Sequence, residues 1–411
     1  MLKLFKQNKM FRVLLTYQFF SSIGGAMFSM FILLSVHLIY HNPLYTGIAG
    51  FLMAAPRIVS FTVGPIVDRR SKIAIMRLTT FLEFIVLSLL AFTSLQEHLG
   101  ALYMFAIIFA YNIAALFEGP AGTALLPQIV QDEEILGANS LINIIAMAGG
   151  IIIGVVLFTS LAGDINFGFL FGFSAVFIAL AFISSLFLRN VPHESKEKSV
   201  PTNYMRDLIE GAGFIKHSVL LYFIIAIVAM DFVGEIAYIN RPMFLEYHAG
   251  AQGYVLFTLM VLIGGIVASY FMGIIGNKFR VGKLTFALFV LAGATRIAFA
   301  ILVPLNLTGA LIITVVYATL VTAVSIAYSS LIQKMPPKDM VGRVDTIATT
   351  LITIFVAVGA FAGGFIGRSV SDVGHVFIYQ GGSLIAIGML IVFVPSIRKL
   401  PKINKIKKAD S

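Results

Sequence analysis

The sequence predicts an all-α membrane protein: twelve transmembrane helices in two pseudo-symmetric six-helix bundles. Three observations carry this expectation. The chain is 59% hydrophobic and only 12% charged, where a soluble globular domain carries roughly 25% charged residues. Apolar runs long enough to cross a bilayer, about 20 residues each, recur twelve times along the 411 residues. Short motifs of the first half return about 209 residues later in the second.

The runs lie near 11–38, 45–67, 73–95, 100–125, 138–162, 166–188, 218–240, 252–276, 284–304, 308–333, 344–367 and 374–396. They are long and continuous rather than short and alternating, which excludes a transmembrane β-barrel. The first follows the basic stretch KLFKQNKMFR but is too long for a signal peptide and has no small-residue cleavage site after it, so it reads as a span. Cysteine is absent, which removes disulfides, thiolate metal sites and a thiol nucleophile. Tryptophan is absent too, leaving the interfacial belts to tyrosine and phenylalanine.

Charge sets the orientation. With the N-terminus cytoplasmic, the inner segments hold 25 of the 29 Lys and Arg residues. Of the other four, Arg57 and Arg296 fall within spans and Arg241 and Arg368 near outer ends. Such an imbalance is the positive-inside pattern of a multi-pass protein with both termini in the cytoplasm. The net charge of +10 is therefore a topology signal. Because it is divided among short segments flanking oily runs, it does not point to nucleic acid. The longest inner segment, RNVPHESKEKSVPTNYMRDLIEGAGFIKH, is polar and proline-punctuated and reads as a linker. The expected organisation is a first bundle at 1–188, a linker at 189–217, and a second bundle with a basic tail at 218–411.

An internal repeat supports two halves. GPIVDRRSK begins at Gly64, and GIIGNKFRVGK begins at Gly273 in the matching turn. GIIIG (Gly150–Gly154) and GAFAG (Gly359–Gly363) share the offset. Duplicated six-span halves are a transporter architecture, with the site near the midplane.

GPIVDRRSK resembles motif A of the major facilitator superfamily, G-x-x-x-D-R-x-G-R-K, with Ser71 at the second glycine. The stretches FEGPAGTALLPQIVQDEEILGANSLINIIAMAGG and LIQKMPPKDMVGRVDTIATTLITIFVAVGAFAGG are similar to the branch of macrolide-efflux proteins and the enterobactin exporter. The resemblance covers almost the whole chain. It implies alternating access in a bacterial cell membrane, with spans one, four, seven and ten lining the cavity. It also implies a conformational latch made by Gly64, Asp68, Arg69 and Arg343. In it Asp68 meets the start of span eleven near Arg343, and Arg69 reaches Asp132 and Glu133. Bottom-up, Gly64 permits a close helix approach, and a carboxylate at Asp68 suits free N–H groups at a neighbouring helix start. The competing reading makes these charges topology anchors. The antiporter motif of span five is partly kept, with Gly150 and Gly154 present and Ile151 where proline is expected.

Six ionisable residues fall at bilayer depth, where such groups face a cavity or a partner: Arg57, Glu83, Glu118, Asp231, Glu235 and Arg296. Arg57 and Glu83 each lie about 15 Å from the cytoplasmic end of one hairpin, counted at 1.5 Å per residue, and are expected to pair. Arg57 is otherwise a contact for an anionic substrate. Asp231 and Glu235, spaced i, i+4, share one helix face. Two close carboxylates in a dry site resist double ionisation, which suits proton binding and release. Hydrogen bonding to Arg241 or Arg296 is the alternative. Glu118 is a second proton carrier, and Arg296 is expected to be structural. In span one Tyr17, Gln18, Ser21 and Ser22 offer substrate contacts, or only helix packing. His37 and His41 read as interfacial.

No Walker A, HExxH or G-x-S-x-G sequence occurs, so neither ATP hydrolysis nor an enzymatic role is expected, and no cofactor or metal. The reading is a monomeric secondary transporter exporting a small drug-like or secondary-metabolite solute by proton antiport, with multidrug resistance as the physiological setting. Its partners are that solute, protons and the bilayer. Alternatives are export of a siderophore or other anionic metabolite through Arg57, and a lipid flippase or a membrane enzyme using Asp231 and Glu235.

Overall fold

The computed structural model describes residues 8–63, 66–67, 70–94, 100–131, 134, 138, 141–142, 145, 149, 166–188, 204–275, 278–337, 340–370 and 372–402. Among them the chain is helical: α1 (Lys9–Tyr40), α2 (Pro43–Ile58), α3 (Lys72–Ser94), α4 (Ala101–Ile129), α5 (Phe167–Leu186), α6 (Tyr204–His217), α7 (Leu220–Ile275), α8 (Val281–Leu302), α9 (Leu307–Lys334), α10 (Val341–Ser369), α11 (Gly374–Phe393) and the short α12 (Pro395–Arg398). The one β-type contact among the described residues is an isolated bridge between Arg280 and Lys402. Nine helices among them are long and apolar enough to cross a membrane. Large apolar side chains such as Phe92, Leu102, Phe187 and Phe393 stand exposed, as lipid-facing positions must.

Asparagine starts three of the helices. Asn8, Asn166 and Asn306 each accept a hydrogen bond at 3.0 Å from the backbone N–H three residues on, satisfying a donor that the first helical turn leaves free.

The expected span at 45–67 is not one continuous helix. After Ile58 the bonding switches to a tighter pattern, with Val59 N–H donating to Pro56 O and Thr62 N–H to Val59 O, through a short 3₁₀ turn at Ser60–Thr62. The Thr62 hydroxyl also donates to Val59 O at 2.8 Å, a side-chain bond that competes with helix continuation. The expected fifth span, 138–162, lies mostly outside the described residues.

α7 contains 56 residues with helical backbone on both sides of Gly250, which has φ 64° and ψ 177°. A straight helix would put Arg241 and Phe257 about 24 Å apart at 1.5 Å per residue. The Arg241 guanidinium instead sits 4.5 Å from the centre of the Phe257 ring. The chain therefore folds back at Gly250, and α7 is two antiparallel arms joined by a residue in a region that only glycine enters freely.

The chain forms two compact units, Met1–His41 with Leu52–Glu197, and Asn42–Phe51 with Lys198–Ser411. In the first, α1 packs on α4 and α5, and α3 packs on α4 and α5. Its core gathers Phe11, Leu14, Leu15, Tyr17, Met76 and Leu125. In the second, α8 packs on α11 and α9, and α7 on α9, α10 and α11. Within lipid, association rests on close packing of small residues, and α8 and α11 show it. A methyl carbon at Gly293 would stand 2.4 Å from Gly381 O, and one at Gly381 would stand 2.6 Å from Gly293 O. The segment expected as linker contributes the amphipathic helix α6, which buries Ile215 and lies against α10, with Gly211 facing Ile347 and Arg343.

Candidate functional site

The first unit holds a polar centre built from three helices at helical spacings. α1 supplies Tyr17 and Ser21, one turn apart. α3 supplies Thr80 and Glu83. α4 supplies Tyr111 and Glu118, two turns apart. Because i, i+3, i+4 and i+7 positions share a face, each helix turns its polar pair to the same side.

Glu118 is the hub. Tyr17 Oη donates to its Oε1 at 2.7 Å, and Ser21 Oγ donates to the same oxygen. Tyr17 Oη also meets Thr80 Oγ1 at 2.8 Å, and the Thr80 hydroxyl lies 2.7 Å from Met76 O. Glu118 is less deeply buried than Glu83. Glu83 is 1% exposed and neither of its carboxylate oxygens has a hydrogen-bond partner. It lies close enough to Glu118 for the two charges to interact, and Tyr111 feels both.

The expected pair of Arg57 with Glu83 does not form. Arg57 is exposed, no hydrogen bond or ion pair reaches it among the described residues, and the Glu83 oxygens are unpartnered. Arg57 stands in the last turn of α2, just before a three-residue 3₁₀ turn that turns the chain by about 60° relative to a straight α-helix, so equal depth no longer brings it to the face of Glu83. The partner of Glu83 is another acid, and sequence reasoning missed the pair. The signal that was available is that Glu83 and Glu118 are two acids on neighbouring helices of one half.

Gln18 is half-buried beside α4, its amide nitrogen 3.0 Å from where a methyl carbon on Gly122 would sit. The Ser22 hydroxyl is spent on Phe19 O at 3.0 Å. In the second unit Asp231 and Glu235 are half-buried on the first arm of α7. Glu235 packs its Cβ 3.2 Å from the methyl position of Gly359. Asp231 accepts no hydrogen bond among the described residues and is an electrostatic neighbour of Tyr328, whose hydroxyl is buried without a partner. Gly359 and Gly363 of the repeat motif let α10 approach α7 at Phe232 and Ile236.

Of the expected latch, Gly64, Asp68 and Arg69 lie outside the described residues, as do Asp132, Glu133, Gly150 and Gly154. Arg343 is paired with Glu210 of α6 at 2.6 Å.

In the second unit Arg296, singled out in the sequence, has partners that the sequence did not announce. Arg296 on α8 is 1% exposed. Its Nε donates to Gln380 Oε1 on α11, and Gln380 Nε2 donates to Tyr317 Oη on α9 at 3.0 Å. The guanidinium lies 4.7–4.8 Å from the ring centres of Phe299, Tyr317 and Phe377. Gly293 and Gly381, which bring α8 against α11, sit one turn and one residue from Arg296 and Gln380. The residues that close the helix gap thus set this contact. Among the described residues no group of three His, Asp or Glu is placed to hold a metal ion.

No curated protein matches the sequence at a significant level. Solved structures match the fold. A mutant form of the nucleoside transporter NupG superposes with a TM-score of 0.74 at 13% identity, over 93% of this chain and 99% of that one. A POT family transporter in complex with a thioalcohol-conjugated peptide gives 0.69 at 16%, over 95% and 96%. A D-xylose–proton symporter gives 0.68 at 14%, over 97% and 99%. At these identities the likeness is one of fold. The family model of the Major Facilitator Superfamily matches residues 14–363. With most of its length matched and with nine helices among the described residues long and apolar enough to cross a membrane, the chain belongs to the Major Facilitator Superfamily and is a membrane transporter rather than an enzyme.

Proposed function

We propose that the protein is a twelve-span secondary transporter that exports a small drug-like or secondary-metabolite solute in exchange for protons by alternating access. Its halves are 1–188 and 218–411, its linker 189–217, and both termini are cytoplasmic. The observation that carries the proton reading is the acid pair of the first unit. Glu118 is held by Tyr17 and Ser21 and is the less buried of the two, while Glu83 lies deeper, with no hydrogen-bond or ion-pair partner among the described residues. Unpaired charge at such a depth is costly, so the pair accommodates one negative charge far more readily than two. A site that carries one proton and can lose it through Glu118 is what coupling to a proton gradient requires. Each proton moved down 100 mV supplies about 2.3 kcal/mol. That one relative of the same fold is a D-xylose–proton symporter supports the fold's capacity for such coupling, as analogy only. Asp231 and Glu235 are the second-unit carboxylates of the cycle, Gln18 is the first-unit solute contact with the buried Tyr17 holding Glu118, and Gly64, Asp68, Arg69 and Arg343 are the cytoplasmic latch.

The test is uptake of a fluorescent lipophilic dye into inverted membrane vesicles energised by a pH gradient. Glu118→Gln is expected to abolish gradient-driven accumulation while leaving dye exchange without a gradient. Asp231→Asn is expected to reduce accumulation several-fold. Unchanged gradient-driven accumulation in Glu118→Gln refutes the assignment. Accumulation only in right-side-out vesicles makes the protein an importer.

A further inference from the structure

We propose that the second unit contains a binding site for a carboxylate group, formed by Arg241, Arg296 and Tyr317. This inference rests on the chain being a transporter, but not on its coupling to protons.

The two arginines come from different helices and share one ring. Arg241, near the end of the first arm of α7, lies 4.5 Å from the centre of Phe257, and Arg296 of α8 lies 5.8 Å from the same centre. Arg241 also covers Tyr238 at 4.6 Å. Two like charges are thus gathered around aromatic faces. Aromatic rings attract a cation, but they do not cancel its charge. Buried charges are ordinarily paired with an opposite one, and no carboxylate is bonded to either arginine among the described residues.

The donors are correspondingly unspent. Arg296 Nη1 and Arg241 Nε are both buried without a hydrogen-bond partner. The hydrogen-bond chain from Arg296 through Gln380 ends at Tyr317 Oη, which accepts from Gln380 Nε2. The phenol's own proton therefore remains to be given. Three unspent donors, with no carboxylate bonded among the described residues, describe a site for an acceptor-only ligand, that is, an anion. Arg241 is half-buried where Arg296 is 1% exposed, so a ligand would meet Arg241 first.

A guanidinium presents paired N–H groups that match the two oxygens of a carboxylate. The buried rings of Phe257, Phe299 and Phe377 pack around the Arg296 guanidinium, an apolar surround that suits a weakly hydrated anion with an apolar body better than a hydrated dianion. The expected ligand class is a monocarboxylate with an apolar or aromatic body. The site is distinct from Arg57, to which the sequence assigned an anion.

The test uses the full-length protein in detergent at one pH with no gradient, and reads the thermal unfolding midpoint against ligand concentration. The probes are benzoate and its neutral isostere benzamide, with chloride and inorganic phosphate as further arms. Benzoate is expected to raise the midpoint saturably and benzamide not. Arg241→Gln, at a half-exposed position, is expected to weaken benzoate at least tenfold, with partial recovery in Arg241→Lys. Tyr317→Phe, which keeps the ring stack on Arg296, is expected to weaken it several-fold. Equal effects of benzoate and benzamide overturn the proposal, as does no effect of benzoate. Undiminished benzoate affinity in both Arg241→Gln and Tyr317→Phe overturns it too. Stabilisation by chloride or phosphate without benzoate overturns the carboxylate class. None of these results bears on proton coupling at Glu118, which the vesicle assay reads separately.

Discussion

Tyr17 Oη stands 2.7 Å from Glu118 Oε1 and 2.8 Å from Thr80 Oγ1, so a single phenol joins α1 to both α3 and α4. It is fully buried, and its proton is given to the carboxylate. Tyr17→Phe keeps the ring and removes the link. Ser21 still holds Glu118, so the fold survives. A bond to a charged group is worth about 1.5–3 kcal/mol, and the unfolding midpoint of purified Tyr17→Phe is expected to fall accordingly. Gradient-driven accumulation is expected to drop more steeply than gradient-free exchange, because the lost donor acts on the acid. An equal drop in both would make Tyr17 a packing residue only.

Glu118, Tyr17 and the polar face of α1 were legible in the sequence, because an ionisable residue in an oily run stands out by composition alone. The partner of Glu83 was not. Pairing Arg57 with Glu83 assumed one straight helix over 45–67, and the 3₁₀ turn at Ser60–Thr62 rotates Arg57 away from the face that assumption gave it. Rotation about the helix axis, which decides whether two side chains at equal depth face each other, is likewise set by packing and not by spacing. The cage of Arg296 was hidden for the same reason: Gln380 is 84 residues away, and only the Gly293–Gly381 approach brings it near. That the chain is built of long apolar helices was easier to read, nine of them standing among the described residues, because length and hydropathy are properties of each segment alone.

Glu83 offers a test of the acid pair that does not depend on transport. Its two oxygens are buried with nothing to bond. A buried polar group that makes no bond carries a desolvation penalty of about 1–3 kcal/mol, which its removal lifts. Glu83→Met, of similar length, is expected to hold or raise the thermal midpoint, and Glu83→Gln to change it little. A loss comparable to that of Tyr17→Phe in both variants would mean that Glu83 has a bonded partner in the folded protein.

Gly293 tests the packing that sets Arg296 against Gln380. A methyl there meets Gly381 O at 2.4 Å and an Ile385 side-chain carbon at 2.6 Å, and the first of these is backbone that cannot swing aside. Overpacking of this kind costs about 1–3 kcal/mol. Gly293→Ala is expected to lower the thermal midpoint and, by spreading α8 from α11, to weaken benzoate binding as well. Destabilisation with full benzoate affinity would separate the helix contact from the arginine site.

Gly250 and Gly265 form an internal control on the fold-back of α7. A methyl at either position meets nothing within 4 Å, so any difference between them is a backbone effect. Gly265 is helical and without positive φ, and alanine is favoured over glycine in a helix by about 0.5–1 kcal/mol. Gly250, at φ 64° and ψ 177°, occupies a region that costs a side-chain-bearing residue about 1–3 kcal/mol. Gly265→Ala is therefore expected to raise the thermal midpoint and Gly250→Ala to lower it. The opposite signs matter more than either size, because a continuous helix through residue 250 would make both substitutions stabilising. Arg241 would then be carried away from Phe257, and the second unit would have no shared ring for its two arginines.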